Sequence, residues 1–335
     1  MDKDEEFTPY HIGLVLIEGF ALMSFASLVE PLRAANLLAA QELFRVNCYS
    51  LSGKPVASSS GARVPARPLP GGKARDRLAM VIAGGDPFAA TDTRLFAWFR
   101  NLDRQGVSLG GVSGGPVILA NAGLMAGRRM TVHWEHAAAL IEMKPELLLE
   151  PSLYVMDRDR VTCAGGTAPM DFAHMLIADQ GGAGLAQLVS DWFMHTEVRR
   201  SEGPQRAGLI ERFGTRKPAV LAAIEAMEAH IAEPLSLGQL ARTACLGERQ
   251  LSRLFRRELG IPPMAFCRRL RLGVARNLLQ TTSLSLTEIA LATGFADSAH
   301  FSNAFRHQFD EPPSRVREVK PNYPGAAGAA LPGSA

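Results

Sequence analysis

The sequence predicts two domains of different class: an α/β domain built on a parallel sheet, then an all-α domain holding two helix–turn–helix units. Three observations lead there. Short apolar strand runs alternate with helical runs from His11 to His195. Between 234 and 320 the chain says nearly the same thing twice. The charge is also divided: 234–320 carries thirteen Lys/Arg against seven Asp/Glu, and the remainder 23 against 26, within a net charge of +3. A chain of 335 residues can support two cores. A basic module tied to a slightly acidic one assigns phosphate contact to the C-terminal part.

Taken in order, His11 to Ile17 is an apolar strand run closed by Gly19, and Phe25 to Ala40 a helix with Pro31 as a blemish or kink. Phe44 to Leu51 is a second strand. Ser58 to Gly72, rich in Ser, Pro and Gly, is a hairpin or loop. Leu78 to Ala83 is a third strand ending in Gly84-Gly85-Asp86-Pro87, and Thr91 to Gln105 an amphipathic helix. Val107 to Val112 is a fourth strand. It runs through Ser113-Gly114-Gly115-Pro116 into a helix from Val117 to Ala122. Leu153 to Cys163 suggests a strand pair around Asp157-Arg-Asp-Arg160, followed by helices Ala168 to Asp179 and Gly184 to His195. The expected domain limits are 8–198 and 219–320, with 199–218 a linker and 321–335 a disordered tail rich in Gly, Ala and Pro.

The duplication occupies the second domain. Leu235-Ser-Leu-Gly-Gln-Leu-Ala241 is answered by Leu284-Ser-Leu-Thr-Glu-Ile-Ala290, 49 residues on. Gln250-Leu-Ser-Arg-Leu-Phe-Arg-Arg257 is answered by His300-Phe-Ser-Asn-Ala-Phe-Arg306 at an offset of 50, so the second turn is one residue longer. Ser236 with Gln239 and Ser285 with Glu288 are capping boxes. Gly247 and Gly294 are expected to supply the breaks between helices. Each second helix has one apolar face. The other bears Arg249, Ser252, Arg253 and Arg256 in the first copy, and Ser298, His300, Asn303 and Arg306 in the second. A helix packed on one side and basic or amide-bearing on the other fits a major groove. These eight residues are the expected contacts to double-stranded DNA.

Other function classes find less support. Cys48, Cys163, Cys245 and Cys267 have no metal or CxxC spacing and read as reduced core residues of a cytoplasmic protein. The acidic start Met1-Asp-Lys-Asp-Glu-Glu6 is not a signal peptide, and no apolar run approaches membrane-spanning length. His133, Glu135 and His136 lie close together, but the spacing is not HExxH and no further ligand is placed, so neither metal nor cofactor is expected. Gly111-Val-Ser-Gly-Gly115 satisfies G-x-S-x-G, where a strand turns sharply into a helix.

The C-terminal stretch resembles the DNA-binding domain of the AraC/XylS family, most specifically over Ser285 to Arg306. The resemblance implies two recognition helices in successive major-groove segments, joined by a long helix at roughly Pro263 to Gln280 that carries Arg268, Arg269, Arg271 and Arg276. Residues 10 to 195 resemble the PfpI branch of the class I glutamine amidotransferase-like superfamily, which implies a flavodoxin-like sheet. The matching wording is Gly84-Gly-Asp-Pro87, Gly111-Val-Ser-Gly-Gly-Pro116, Asn121-Ala-Gly-Leu-Met-Ala-Gly127 and Thr131-Val-His-Trp134. Hydrolytic members place a cysteine at the elbow, a histidine downstream and an acid after the first strand. Here the elbow is Ser113, the histidine His133, and Phe20-Ala-Leu-Met-Ser24 holds no acid. The fusion of the two parts resembles the GlxA family of regulators.

That resemblance implies a transcription regulator, with an activator the leading expectation. Its inactive PfpI-like domain would sense a small effector through Glu30, Gly85, Ser113, Gly114, His133 and Trp134. An aromatic face at Trp134 suits an effector of the amino acid, amine or betaine class. Implied partners are DNA, RNA polymerase and a second copy of the chain. The alternatives are a serine hydrolase with Ser113 as nucleophile and His133 as base, and an architectural DNA-binding protein without effector.

Overall fold

The computed structural model describes residues 8–282 and 284–318. The expected disordered tail, 321–335, and the acidic start lie outside them. The chain divides between Gln205 and Arg206 into two compact units.

In the first unit the strands are β1 (Tyr10–Leu16), β2 (Phe44–Ser50), β3 (Val56–Ala57), β4 (Arg63–Val64), β5 (Arg67–Pro68), β6 (Leu78–Ala83), β7 (Ser108–Ser113), β8 (Arg129–Met130), β9 (Leu148–Leu149), β10 (Tyr154–Asp157) and β11 (Arg160–Cys163). The helices are α1 (Leu22–Leu38), α2 (Thr93–Arg104), α3 (Gly115–Asn121), α4 (Trp134–Met143), α5 (Ala168–Gly181) and α6 (Ala183–Trp192). The main sheet runs β10-β11-β7-β6-β1-β2-β5, parallel throughout except for the antiparallel β10–β11 hairpin. Leaving β5 aside, the parallel strands stand in the order second, first, third, fourth, fifth, as in flavodoxin-like sheets. The chain reverses direction of winding between β1 and β6, and ligands in such sheets sit beyond the carboxyl ends of the strands there.

Strand alternation sets the two layers. Ile12, Leu14 and Leu16 with Leu78, Met80 and Ile82 point to one face, where they join Leu28, Leu32, Phe172 and Ile177 in one core cluster. Helices α1, α5 and α6 pack on one another over that face. Val15, Val81 and Leu109 point the other way and are fully buried, as are Phe99, Val117 and Leu119 of α2 and α3. Pro31 sits inside α1 without ending it. The strands and helices expected from the sequence are all present. Helix α4 and the short β8–β9 pair are not expected from the sequence, because Trp134–Met143 lacks a clean apolar stripe and each of those strands is only two residues long.

The second unit is helical: α7 (Leu209–Phe213), α8 (Pro218–Ala229), α9 (Leu237–Thr243), α10 (Glu248–Leu259), α11 (Pro263–Thr281), α12 (Leu286–Ala292), α13 (Ser298–Phe309) and α14 (Pro313–Glu318). Helices α9–α10 and α12–α13 are the two helix–turn–helix units, and α11 joins them. Leu240, Leu251, Phe255 and Phe266 close the first core together with Val220 and Ile224 of α8. Ile289, Phe295, Phe301 and Phe305 bury fully or nearly so in the second. Both capping boxes form, with Gln239 N and Glu288 N donating to the Ser236 and Ser285 hydroxyls at 3.3 and 3.2 Å.

Two sequence expectations need revision here. The stretch 199–218 is not a free linker: Arg199 to Gln205 are bonded into the α/β unit, and Leu209 and Phe213 of α7 pack on the helical core. The helix break in the first copy is not made by Gly247 either. The position matching Gly294 (φ 71°) is Cys245 (φ 53°), while Gly247 has φ −77° and serves as the N-cap of α10. Counting the offset of 49 from Cys245 rather than pairing glycine with glycine exposes the match. A left-handed non-glycine residue costs about 1–2 kcal/mol, partly offset by the extra chain entropy glycine loses on folding. Cys245→Gly is therefore expected to raise stability by about 0.5–1 kcal/mol, read as an upward shift of the urea midpoint at unchanged slope. A lower midpoint refutes it.

Candidate functional site

The first site forms where three strand ends meet. Strand β7 delivers Ser113 with φ 61°, a left-handed serine that is 6% exposed. The turn is possible because no side chain follows. A Cβ on Gly115 would lie 2.0 Å from the Val81 carbonyl oxygen, and one on Gly114 2.8 Å from Pro87. Opposite the elbow stands the loop after β11. A Cβ on Gly165 (φ 95°) would lie 2.7 Å from Ser113 Cβ and 3.0 Å from Ser24 Oγ. Ser24, on the first turn of α1, accepts the Gly166 N–H at 2.9 Å. So Ser24, at the end of the acid-free stretch Phe20–Ser24, touches the elbow wall as a neutral hydroxyl.

His133 enters from the third side, its N–H donating to the Ser113 carbonyl at 3.2 Å. Its ring is the N-cap of α4: Nδ1 accepts the Glu135 N–H at 3.4 Å. With Nδ1 an acceptor, the neutral ring carries its proton on Nε2 and presents a donor there. Burial pushes its pKa down, opposed by the Glu135 carboxylate. Among the described residues Ser113 Oγ has no hydrogen bond, to His133 or to any other group. The Gly114 N–H, which follows the elbow residue, already donates to the Ala83 carbonyl at 3.1 Å. A nucleophile needs an aligned base, an orienting acid and free oxyanion donors. Among the described residues Ser113 Oγ is not bonded to His133, and the Glu135 carboxylate lies 3.8 Å from the His133 Nδ1 that already accepts the Glu135 N–H, so no serine–histidine–acid chain is formed around Ser113.

Behind His133 lies His136, 3% exposed, its ring 6.0 Å from that of His133 and 6.3 Å from Phe88. Its Nδ1 is buried without a partner. Burial, reinforced by His133, pushes its pKa down to about 4. Below an unfolded value near 6.5 only the unfolded chain takes up the proton, so stability falls as pH drops through 6.5 toward 4. Between pH 7 and pH 5 the loss from this residue is expected to be roughly 2 kcal/mol. Urea titrations of the wild type and His136→Leu at both pH values check it. An equal acid loss in both proteins refutes the assignment.

Of the other residues expected here, Gly85 (φ 59°) makes the turn after β6, which Asp86 closes by capping the 3-10 turn Pro87–Ala89. Trp134 lies beside His133 with ring centroids 5.4 Å apart, and is 44% exposed. Glu30 pairs with Arg33 at 2.8 Å and is half-exposed, while Ser24 and Ser27 of the same helix are buried. Asn36 instead holds the start of β2, bonding both the N–H and the carbonyl of Phe44. No cluster that could hold a metal occurs among the described residues. Neither Ser24 nor Gly165 is expected at the site from the sequence, and His136 is singled out there only for its closeness to His133. Only the Gly165-Gly166 pair before α5 carried a local signal.

The second site is the outer face of the helical unit. Arg249, Arg253 and Arg256 are exposed on α10, with Ser252 half-buried between them. None of the four side chains has a partner among the described residues. An open concavity is lined by these residues with Leu237 and Glu248. On α13, His300, Asn303 and Arg306 are exposed and Ser298 half-buried, while Phe301 and Phe305 on the opposite side are fully buried. The arginines of α11 divide. Arg268 and Arg269 are exposed. Arg271 is internal: it donates to the Thr293 carbonyl at 2.7 Å and lies over the Phe295 ring at 4.3 Å. Arg276 covers Phe309 at 4.9 Å. A helix with a packed side and a row of unpaired cationic and amide groups on the other is what a major groove accepts.

A flavodoxin-like unit with a serine elbow, followed by a basic unit of two helix–turn–helix motifs, defines a DNA-binding transcription regulator. The chain belongs to the GlxA-type regulators, in which a DJ-1/PfpI domain precedes an AraC-type helix–turn–helix domain. The DJ-1/PfpI family matches residues 11–179 and a helix-turn-helix domain matches 240–318. The HTH-type transcriptional regulator GlxA of Rhizobium meliloti (strain 1021) is 45% identical over 307 residues, 91% of this chain and 95% of that one. The HTH-type transcriptional regulator CdhR of Pseudomonas aeruginosa is 40% identical over 92% of this chain and 91% of its own. A THiJ/PfpI family protein from Pseudomonas syringae superposes with a TM-score of 0.50 at 21% identity, covering 71% of this chain and 89% of that one, a likeness of fold. No helix among the described residues is long and apolar enough to cross a membrane.

Proposed function

We propose that the α/β unit is a catalytically silent sensor, and that a small effector bound beside Ser113 changes how α10 and α13 engage an operator. The observation that carries this reading is the elbow itself. Ser113 keeps the strained geometry of a nucleophile, at a cost of order 1–2 kcal/mol, but its hydroxyl is bonded to no base among the described residues and the Gly114 N–H beside it is taken by the Ala83 carbonyl. Strain retained without chemistry points to binding. Neutral His133 and His136 with Phe88 and Trp134 make a polar–aromatic surround that suits an effector of the amino acid, amine or betaine class. The regulator would act as a homodimer on paired sites and work with RNA polymerase.

Titration of the full chain with amino acids, amines and glycine betaine, read by thermal shift, is expected to raise Tm for one class, and Ser113→Phe to abolish the rise. No ligand of the three classes shifting Tm refutes the assignment of the effector to those classes, and a shift that Ser113→Phe leaves intact refutes the elbow as the sensor site. A fluorophosphonate probe is expected to leave Ser113 unlabelled. Esters, amides and α-dicarbonyls are expected to turn over no faster than with Ser113→Ala. Hydrolysis abolished by Ser113→Ala would establish the hydrolase instead.

A further inference from the structure

The segment that leaves the α/β unit is bonded to both walls of the elbow site. One wall is the loop Gly165–Thr167, which packs on Ser113 and Ser24. It leads into α5, where the Asp171 carboxylate is fully buried. Arg199 closes on this wall. Its N–H donates to Asp171 Oδ1 at 2.8 Å, its guanidinium to Asp171 Oδ2 at 3.0 and 2.6 Å, and to the Thr167 hydroxyl at 2.8 Å. His195 adds a contact to Asp171 at 3.0 Å. The other wall is Thr131–His133, whose last residue donates to the Ser113 carbonyl. Gln205, the last residue of the unit, closes on it. Its amide nitrogen lies within reach of Thr131 Oγ1 at 2.9 Å, the Val132 carbonyl at 3.0 Å and the Ser152 carbonyl at 2.8 Å. Between the two clamps the Ser201 carbonyl accepts from the N–H of Leu153 at 2.8 Å.

We propose that this exit strap, residues 199–205, is the relay of the regulator. Arg199 and Gln205 are positioning residues that make the state of the strap and the state of the two elbow walls one and the same. The clamps differ in strength in a way that suits a switch. Arg199–Asp171 is a charge-assisted, forked contact sealed from water on the carboxylate side, so it anchors. Gln205 is poised to let go: two amide hydrogens serve three acceptors, and its Oε1 is buried with no donor. An unsatisfied buried acceptor favours release toward water. A ligand that parts or draws together the 131–133 and 165–167 walls therefore moves the last bonded residue before the helical unit begins at Arg206. A ligand shifts such an equilibrium only by its preference for one state, and the strap defines the two states, docked and released.

The proposal rests on the elbow being the effector site, so one arm of its test uses no ligand. In the full chain, Ser113→Phe or Ser24→Leu crowds the walls directly, and amide hydrogen exchange is followed by peptide. Exchange within 199–205 is expected to change at least tenfold along with 131–133 and 165–167, with the helices of the second unit still protected. Walls that change while the strap keeps wild-type exchange overturn the proposal. The second arm uses glycine betaine, and arginine in parallel, against operator DNA. Gln205→Ala is expected to bind the probe within threefold of wild type and to bind DNA, but to lose the probe's effect on DNA affinity, from at least fivefold to under twofold. Arg199→Lys, which keeps the charge, is expected to retain part of it. A full wild-type effect in Gln205→Ala overturns the proposal. Failure of both probes to bind wild type counts against the choice of effector class alone, and the exchange arm then decides.

Discussion

Arg253→Ala is expected to weaken operator binding by about 1–3 kcal/mol, roughly a five- to 150-fold loss, while leaving non-specific DNA binding within a few-fold. Arg253 stands exposed and unpaired on α10, lining a concavity with Arg249 and Arg256. Because it gives up no internal contact to reach a base, little of the loss can come from folding. Arg256, nearer the end of the helix, is the phosphate candidate. Arg256→Ala is expected to lower affinity for all sequences about equally and to flatten the dependence of log K on log salt by about one. The two patterns separate in a titration of operator and scrambled duplex at several salt concentrations. An unchanged affinity of Arg253→Ala on every duplex removes α10 from the groove. Asn303 on α13 offers the amide that pairs with adenine, so Asn303→Ala is the matching probe for the second segment.

The second large effect is structural. Phe305→Ala is expected to cost about 3–5 kcal/mol. Its ring is fully buried at the centre of a run in which Phe301 lies 5.6 Å and Phe309 4.6 Å away, centroid to centroid. The same side of that run carries Phe295, 5.5 Å from Phe301 and itself covered by the Arg271 guanidinium at 4.3 Å. Ile289, Leu278, Leu279 and Val316 are buried in the same half, and so close-packed a core relaxes only partly around a cavity. Domains have only about 5–15 kcal/mol in hand. The expected result is loss of amide protection across α12 to α14 and loss of operator binding, with the α/β unit unaffected. Phe305→Leu, which keeps most of the volume, should cost under about 2 kcal/mol. A loss below 1 kcal/mol for Phe305→Ala shows that the second core does not depend on this ring.

Much of this molecule was written in local pattern. The alternation of short apolar runs with helical ones determined the parallel sheet, since such strands need covered faces and crossover helices. The capping boxes at Ser236 and Ser285, with an apolar period behind each, determined the paired helix–turn–helix units. They also left the row from Arg249 to Arg256 outside, because a helix that buries Leu251 and Phe255 must expose the residues between them. The motif Gly111-Val-Ser-Gly-Gly115 determined an elbow at Ser113, a turn that only missing side chains permit.

What only the tertiary structure decided is which distant residues face that elbow. Ser24 bonds the loop that packs on it while Glu30 pairs with Arg33, a matter of which side of α1 is buried. His136, which the sequence places beside His133 without a role, is a buried ring among aromatics. Cys245, not Gly247, takes the left-handed turn, because the requirement follows backbone position rather than residue type. The stretch after His195 read as linker from its glycine and proline. It carries no apolar period because its order comes from hydrogen bonds to Asp171, Leu153 and Thr131, residues 28, 48 and 74 positions away from Arg199, Ser201 and Gln205. Polar contacts over such separations leave no periodicity in the sequence, and only the folded chain brings their partners together.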